Sequence, residues 1–173
     1  SSRDLKNWTR HGDRKPFIGA SRIGSGAYDL TQILGPSDAV RRGDELWFYY
    51  TGIKRRAPQA HPDPDAGGIC LAVLRRDGFI SLDAGKQEGT IQTEPFKLSG
   101  TKLHVNVDAP KGELRVEVLD GEGKVTAQSE PLTGDLLREP VKWAEGDIAD
   151  FKDQTVSLRF NLRNGQFYSY WFE

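Results

Sequence analysis

The chain of 173 residues is long enough for one large domain or two small ones, and it can bury a core without disulfide bonds. Its 24 lysine and arginine residues nearly balance its 25 aspartate and glutamate residues, which gives a formal net charge of −1. This balance provides no long-range attraction to nucleic acid or to an anionic membrane, and no apolar run approaches the ~20 residues that cross a bilayer. We therefore expect a protein whose partner is neither nucleic acid nor a membrane.

The first part of the chain, residues 1–78, predicts a β-unit of about four strands. Residues 27–34 (AYDLTQIL) alternate well enough for a strand, and residues 45–52 (ELWFYYTG) have the aromatic content of one. Residues 68–78 (GICLAVLRRDG) form an apolar run that ends at a turn, which is typical of a strand buried on both faces. The single cysteine, Cys70, lies in this run, so we expect a buried and unreactive thiol.

The second part, residues 79–173, has the alternation of a β-sandwich. In residues 113–120 (ELRVEVLD) the apolar side chains share one face, and residues 120–123 (DGEG) and 163–165 (RNG) predict tight hairpin turns. About eight such strands predict two packed sheets of jelly-roll type. One helix-like segment, residues 132–139 (LTGDLLRE), predicts a single helical turn.

Four segments of the chain carry patterns of one family. Residues 2–8 (SRDLKNW) have the Ser-x-Asp-Leu-x-x-Trp pattern that ends an outer strand, and residues 26–52 have the pattern of a last blade. Residues 68–85 look like a crossing into an appended sandwich, and residues 101–173 look like that sandwich. Together they resemble five-bladed β-propeller glycoside hydrolases of the invertase and arabinanase type. The resemblance implies an all-β fold: a propeller-like four-stranded antiparallel unit in the first part and a jelly-roll-type β-sandwich in the second.

The chain also departs from that family. A complete propeller needs five blades of about four strands, and this chain has the length for one. The family's Asn-Asp-Pro, Arg-Asp-Pro and Glu-Cys motifs do not occur in it. Residues 75–77 (RRD), for example, are followed by Gly78 rather than proline. No catalytic residue is therefore carried over. The chain begins with serine and contains no methionine, so we expect a processed, engineered or fragmentary form of a secreted or periplasmic bacterial protein.

Two carboxylates of the first part are the candidates for catalysis. Glycoside hydrolysis needs two carboxyl groups, ~5 Å apart for retention or ~6.5–9.5 Å apart for inversion, and the acid needs a raised pKa. Asp29 and Asp38 lie on or next to the first strands of the predicted blade and are the best-placed pair. The alternative is that both side chains cap turns through Asx hydrogen bonds.

Aromatic side chains are the candidates for sugar binding, because sugars present apolar C–H faces edged by hydroxyl groups. The candidates are Trp8, Tyr28, Trp47 and Tyr49. On a strand, Trp47 and Tyr49 share one face while Phe48 and Tyr50 share the other, so at least one face is core. The alternative is that all four aromatic residues of this strand are core.

The last predicted strand, residues 166–173 (QFYSYWFE), is aromatic as well. Alternation predicts two sets that each share a face: Tyr168, Tyr170 and Phe172, and Phe167, Ser169 and Trp171. We expect one face to be core and the other to pack on the first part or to offer a binding platform. His104 is expected to face solvent or a groove, and the basic pair Arg75-Arg76 is expected to be a solvated loop end.

No cofactor and no metal site is predicted. His61, Asp63 and Asp65 (HPDPD) alternate as ligands of a hard cation such as calcium do, but the prolines and the lack of further ligands favour a surface loop. The sequence has no Walker loop, no dinucleotide fingerprint and no Gly-x-Ser-x-Gly motif.

Three functions remain open. The first is a carbohydrate-active protein, related to propeller-type glycoside hydrolases, that binds or hydrolyses a poly- or oligosaccharide. The second is a non-catalytic carbohydrate-binding module, and the third is a structural or assembly domain whose aromatic strand meets protein only. Since a single blade exposes both edges, the expected partners are carbohydrate, a second copy in a homo-oligomer, or the missing propeller blades.

Overall fold

The structure, a computed structural model, describes residues 2–10, 16–55 and 63–173. Across these ranges the chain forms β-strands and one short 3₁₀ turn and has no α-helix, which confirms the predicted all-β class. The same ranges contain no helix that could cross a membrane. The chain divides into two compact units, Ser1–Val73 and Leu74–Glu173.

The first unit holds a four-stranded sheet. Its strands are β1 (Gln32–Leu34), β2 (Val40–Arg42), β3 (Glu45–Ile53) and β4 (Gly67–Arg75), whose last two residues belong to the second unit. The central strand β3 pairs antiparallel with β1 and β2, and it also pairs with β4. Gly43 has a φ of 59° between β2 and β3, which suits the first central position of a type II′ hairpin turn. Strand β1 is shorter than predicted, and β2 was not predicted.

Strand β4 does not have the two buried faces that were predicted for it. Ile69, Leu71 and Val73 are 77%, 41% and 51% exposed, and they share one face of the strand. Cys70 points to the other face and is partly buried, where a methyl group at Gly52 would lie 2.8 Å from its Sγ atom. The prediction was wrong because an apolar run does not reveal whether a second layer covers each face.

The second unit contains nine strands of antiparallel sheet. They are β5 (Leu82–Ala84), β6 (Gly89–Gln92), β7 (Phe96–Lys97), β8 (Leu103–Leu119), β9 (Val125–Ser129), β10 (Leu132–Pro140), β11 (Trp143–Glu145), β12 (Thr155–Arg163) and β13 (Gly165–Phe172). A 3₁₀ turn at Ile148–Phe151 lies between β11 and β12, and the Asp147 side chain accepts a hydrogen bond from the Ala149 N–H at its start.

The 17-residue strand β8 connects two parts of this sheet. Its first half pairs with β13 and most of β10, and its second half pairs with β9 and β12. Gly112 lies where the partners change, and a side chain there would overlap the carbonyl oxygen of Arg163. Val107 from the first half and Val116 from the second belong to one buried core with Phe160. This arrangement is compatible with the predicted β-sandwich.

Strand β10 replaces the helical turn predicted at residues 132–139. It pairs with β8, and its register shifts twice, between Leu132 and Gly134 and between Leu136 and Glu139. These irregularities interrupt the alternation of apolar and polar side chains, so the spacing of the leucines imitates a helix. The prediction of a helical turn was therefore wrong.

A bulge in β13 changes the predicted faces of the last strand. Phe167 pairs with Val107, but Ser169 pairs with Asn106, so Tyr168 is the extra residue. Beyond the bulge, Tyr170 and Phe172 are opposite core residues of β8 and share the face of Phe167, while Ser169 and Trp171 lie on the outer face. The predicted grouping was wrong because one inserted residue reverses the alternation.

Candidate functional site

Asp29 lies buried in the first unit and is held by hydrogen bonds. It is 5% exposed, and its Oδ2 atom accepts a bond of 2.8 Å from the hydroxyl of Tyr50 on β3. Hydrogen bonds from the Ser21 side chain and from Tyr50 lower the pKa of Asp29. Burial, together with the bond to Asp29, raises the pKa of Tyr50 to about 12.

These properties give Asp29 a structural role in the first unit. A general acid needs a raised pKa, and the pKa of Asp29 is shifted in the opposite direction. Gly52 on β3 makes room for the carboxylate, because a methyl group there would lie 2.9 Å from both Cβ and N of Asp29. The side chain thus joins the segment before β1 to the packed face of β3.

Asp38 lies in a different environment. It is exposed, and its Oδ1 atom accepts a hydrogen bond of 2.7 Å from the N–H of Ala39. Among the contacts of the described residues, none joins Asp38 to Asp29. The turn-capping alternative describes Asp38 well, and the paired catalytic role of the two residues stays a prediction.

Tyr28 belongs to a polar cluster at the beginning of β4. Its hydroxyl donates to Asp65 Oδ1 over 3.1 Å, and Lys54 Nζ lies 5.4 Å from its ring centroid. Lys54 also donates to Asp65 Oδ2 over 2.9 Å, and the bonds from Lys54 and Tyr28 lower the pKa of Asp65. Gly68 leaves space for the ring, since a methyl group there would lie 3.2 Å from Tyr28 Cγ. The ring is nevertheless 41% exposed.

The same cluster bears on the calcium alternative. Asp65 is paired with Lys54, and Asp63 is paired with Arg55. His61, the third residue of that motif, lies outside the described residues. Within the described ranges no group of three histidine, cysteine or acidic residues is placed to hold a metal ion. The cations of the protein already neutralise both carboxylates.

Trp8 is presented on a tight loop. The Asp4 carboxylate accepts hydrogen bonds from the N–H groups of Lys6 and Asn7 at 2.9 and 2.8 Å, and these bonds, that of Asn7 first, lower its pKa. Leu5 adopts a φ of 58°, and its carbonyl accepts a 3.3 Å bond from the Trp8 indole N–H. The ring itself is 68% exposed. The residues of the Ser-x-Asp-Leu-x-x-Trp pattern therefore form a turn that is closed by hydrogen bonds among themselves.

Trp47 and Tyr49 lie on an exposed apolar face of the first sheet. Phe48 and Tyr50 point to the opposite, buried face. Leu34 and Val40 pair directly with Thr51 and Trp47 and so share the exposed face. Cys70 of β4 adjoins Gly52 on the buried face, so the three exposed residues of β4 lie on the exposed face as well. We call this surface the β3–β4 face: Leu34, Val40, Trp47, Tyr49, Ile69, Leu71 and Val73.

Trp47 is engaged by its charged neighbours on this face. Its indole N–H donates to Glu45 over 2.7 Å, and the Arg42 guanidinium lies 4.6 Å from its ring centroid. Tyr49 contacts it edge to face at 6.1 Å and is 46% exposed. Glu45 and Arg42 are the polar groups beside these rings, and the sugar-binding role of Trp47 and Tyr49 stays a prediction.

The second unit holds a polar network that the sequence did not predict. Arg75, expected as a solvated loop end, donates from Nε to Asn106 Oδ1 over 3.1 Å and from Nη1 to Asp135 over 2.7 Å. Its guanidinium also lies 4.3 Å from the ring centroid of Tyr168, the bulge residue. Asn106 is 1% exposed and donates to the Arg76 carbonyl over 2.7 Å. The network fixes residues 75 and 76 on the outer face of β8.

A pocket of about 460 Å³ lies beside this network. Arg76, Asp77, Arg138, Ser169 and Trp171 are among its lining residues, all of them in the second unit. Trp171 stacks on His104 with ring centroids 5.4 Å apart, so the His104 side chain, expected to face solvent or a groove, is largely covered and only 12% exposed. We call this the β13 pocket. The sequence did not predict this pocket, because the bulge at Tyr168 breaks the simple alternation and brings Trp171 beside these arginines.

Comparison of the chain with protein-family models, with curated proteins and with solved structures finds no match.

We predict that Tyr50→Phe lowers the free energy of unfolding at pH 7 by about 1.5 kcal/mol, because the buried Asp29 carboxylate loses a donor. The pKa of Asp29 is lowered in the folded state, so its carboxylate stabilises the fold above the unfolded pKa of about 3.9, and this contribution is lost as the pH falls through the folded pKa. The effect of the variant should therefore shrink below about pH 4. Denaturant unfolding of the wild type and the variant at pH 7 and at about pH 2.5 measures this effect.

The matched control is Tyr49→Phe, which removes a hydroxyl from the exposed neighbour and should change stability by less than about 0.5 kcal/mol. An equal loss for Tyr50→Phe at pH 7 and at about pH 2.5 would mean that the ionised Asp29 does not stabilise the fold.

Proposed function

We propose that this chain binds a poly- or oligosaccharide without hydrolysing it, as part of a carbohydrate-active protein related to propeller-type glycoside hydrolases. The observation that carries the proposal is the Tyr28 cluster. An accessible aromatic ring there adjoins a carboxylate, Asp65, and an ammonium, Lys54, within hydrogen-bonding distance of each other. A sugar needs this combination, an apolar surface for its C–H face and charged groups for its hydroxyls.

Trp8 supports the same proposal. Its ring is more exposed than that of Tyr28, and the hydrogen bonds of Asp4 hold its loop in one conformation. A side chain that is ordered before binding loses less conformational entropy when a ligand arrives. Trp8 is therefore suited to add a second contact along an extended saccharide.

The proposal excludes hydrolysis for a physical reason. Asp29 is buried, bonded to Tyr50 and lowered in pKa, so it is a poor proton donor near neutral pH. Asp38 is engaged with its own turn. Neither supports the acid that O-glycosyl hydrolysis requires.

In this proposal the first unit is a propeller-like blade and the second a jelly-roll-type sandwich; the sequence predicts the domain boundary at residues 78 and 79, and the two compact units divide at residues 73 and 74. The protein is secreted or periplasmic, where polysaccharides are available. The supports are the resemblance of four sequence segments and the four-stranded sheet of the first unit.

Pull-down on a panel of insoluble polysaccharides, with a parallel assay for reducing ends, tests this function. We expect at least one polysaccharide to retain the protein while no reducing ends appear. Tyr28→Ala and Trp8→Ala should each weaken binding about tenfold, which corresponds to ~1.4 kcal/mol. Phe79→Ala removes a comparably exposed aromatic side chain and should leave binding unchanged.

Reducing ends produced by the wild type and lost in Asp29→Asn would show that the chain is a hydrolase and would contradict the proposal. Retention that is equal in Tyr28→Ala, Trp8→Ala and Phe79→Ala would place the binding site elsewhere.

Assembly with a second copy of this chain is a second candidate function, and the β3–β4 face favours it. Six of its seven side chains are at least 41% exposed, which is unusual for aliphatic residues that adjoin one another on a sheet. The charges beside it, Arg42 and Glu45, are of opposite sign, so two copies can meet without net repulsion.

The size of the face determines how tight such a dimer is. Two strands of nine residues, with the three-residue strands β1 and β2 beside them, cover roughly 400 Å² per copy. Two copies then bury roughly 800 Å², below the ~1,200 Å² of a stable interface. The face therefore supports a weak dimer that forms with rising concentration.

Light scattering on a concentration series tests the dimer. We expect the average mass to rise above that of the 19.3 kDa monomer at high concentration and to stay monomeric in the double variant Ile69→Lys, Leu71→Lys. Ile23→Lys replaces an isolated aliphatic residue that is 90% exposed and should leave the association intact. A wild type that remains monomeric throughout, or a double variant that still dimerises, would contradict this function.

A further inference from the structure

The β13 pocket has the properties of a binding site. Its volume of about 460 Å³ lies within the range of small-molecule pockets. Two guanidinium groups, Arg76 and Arg138, line it together with one carboxylate, Asp77, whose Oδ2 atom is 4.0 Å from Arg76 Nε. Glu173 lies outside the lining, and its Oε1 atom is 3.8 Å from Arg138 Nη2.

The turn that supplies Arg76 and Asp77 is closed by a hydrogen bond. The Gly78 N–H donates to the Arg75 carbonyl over 3.0 Å, and Asp77 adopts a φ of 57°. Aspartate is among the residue types that tolerate this left-handed conformation, so it suits a tight turn. Asn106 and Asp135 hold Arg75 at the start of the turn, so Arg76 and Asp77 are positioned from within the fold.

An unsatisfied buried hydroxyl points to a ligand. Ser169 Oγ has no hydrogen-bond partner although it is shielded from solvent, and Ser169 lines the pocket. A buried polar atom without a partner costs about 1–3 kcal/mol, so a rotation of the Ser169 side chain that brought Oγ into the pocket, to bond with a ligand oxygen, would recover free energy. Trp171, on the same outer face, adds apolar surface to the lining.

We propose that the β13 pocket binds the carboxylate of an acidic sugar residue, a uronate, within a saccharide. This inference rests on the proposed function. The planar guanidinium fork of arginine matches a carboxylate in two parallel hydrogen bonds, which makes paired arginines selective for such anions over neutral sugars. Ser169 and Asp77 supply a hydroxyl and an acceptor for ring hydroxyls, and Trp171 bounds the ring.

Calorimetric titration of the full chain with trigalacturonate, triglucuronate and the methyl ester of trigalacturonate tests the proposal. The methyl ester keeps the sugar and removes the negative charge. We expect at least one trisaccharide uronate to bind at least tenfold more tightly than the ester, and the binding to weaken with added salt.

The variants locate this binding in the pocket. Arg76→Ala and Arg138→Ala should each weaken uronate binding about tenfold, Arg138→Lys should give an intermediate loss, and Ser169→Ala a loss of about threefold. Arg163→Ala is the matched control, since Arg163 is 52% exposed and ion-paired with Glu113 outside the pocket, and it should bind as the wild type does. Thermal unfolding of each variant verifies that it is folded.

Other results overturn the proposal. Equal binding of the uronate and its ester, no binding of either uronate, or unchanged binding in Arg138→Ala would each do so. Sodium acetate or sodium sulfate that competes with the uronate at equal concentration would show a site for anions only. Tyr28→Ala and Trp8→Ala test polysaccharide binding in the separate pull-down assay. If the wild type binds polysaccharide there but binds no uronate, the β13 pocket proposal fails while the proposed function stands.

Discussion

The alternation of side chains along a β-strand is the constraint on which the rest of this structure depends. When one face of a strand packs into the core, the side chains between the packed ones point to the opposite face of the sheet. In the first unit Phe48 and Tyr50 are buried, and for that reason Trp47 and Tyr49 point outward. In the second unit the bulge at Tyr168 reverses the alternation, so Trp171 reaches the outer face. The β3–β4 face and the outer-face side chains of the β13 pocket are both consequences of which side chains the core takes.

Polar groups refine this arrangement in both units. The bond between Asp29 and Tyr50 places a carboxylate inside the first unit, and Arg75 binds the buried Asn106 in the second. A buried polar group without a partner is costly, so these pairs fix the position of the segments that carry them. The two carboxylates of the first unit differ in their surroundings: Asp29 is enclosed and bonded, while Asp65 is bonded but adjoins an accessible ring.

Much of the fold could be predicted from the sequence, because alternation in ELRVEVLD and the aromatic strand ELWFYYTG are local signals. The helical turn predicted at residues 132–139 failed because bulges in β10 give its leucines a helix-like spacing. The candidate sites were harder to predict from the sequence than the fold. Tyr28 and Trp8 were chosen for their ring chemistry, but their partners Asp65 and Leu5 depend on loop conformation. The β13 pocket depends on a single extra residue, which alternation does not reveal.

The central claim is that ligands meet the outer surfaces, at Tyr28, Trp8 and the β13 pocket, and not the buried carboxylate. Amide chemical-shift mapping of the isotopically labelled chain during titration with trigalacturonate tests it most directly. We predict shift changes around Arg76, Arg138 and Ser169, with smaller ones near Tyr28 and Trp8, and none at Tyr50, the hydrogen-bond partner of Asp29. The largest changes at Tyr50, with reducing ends accumulating in the sample, would contradict this claim.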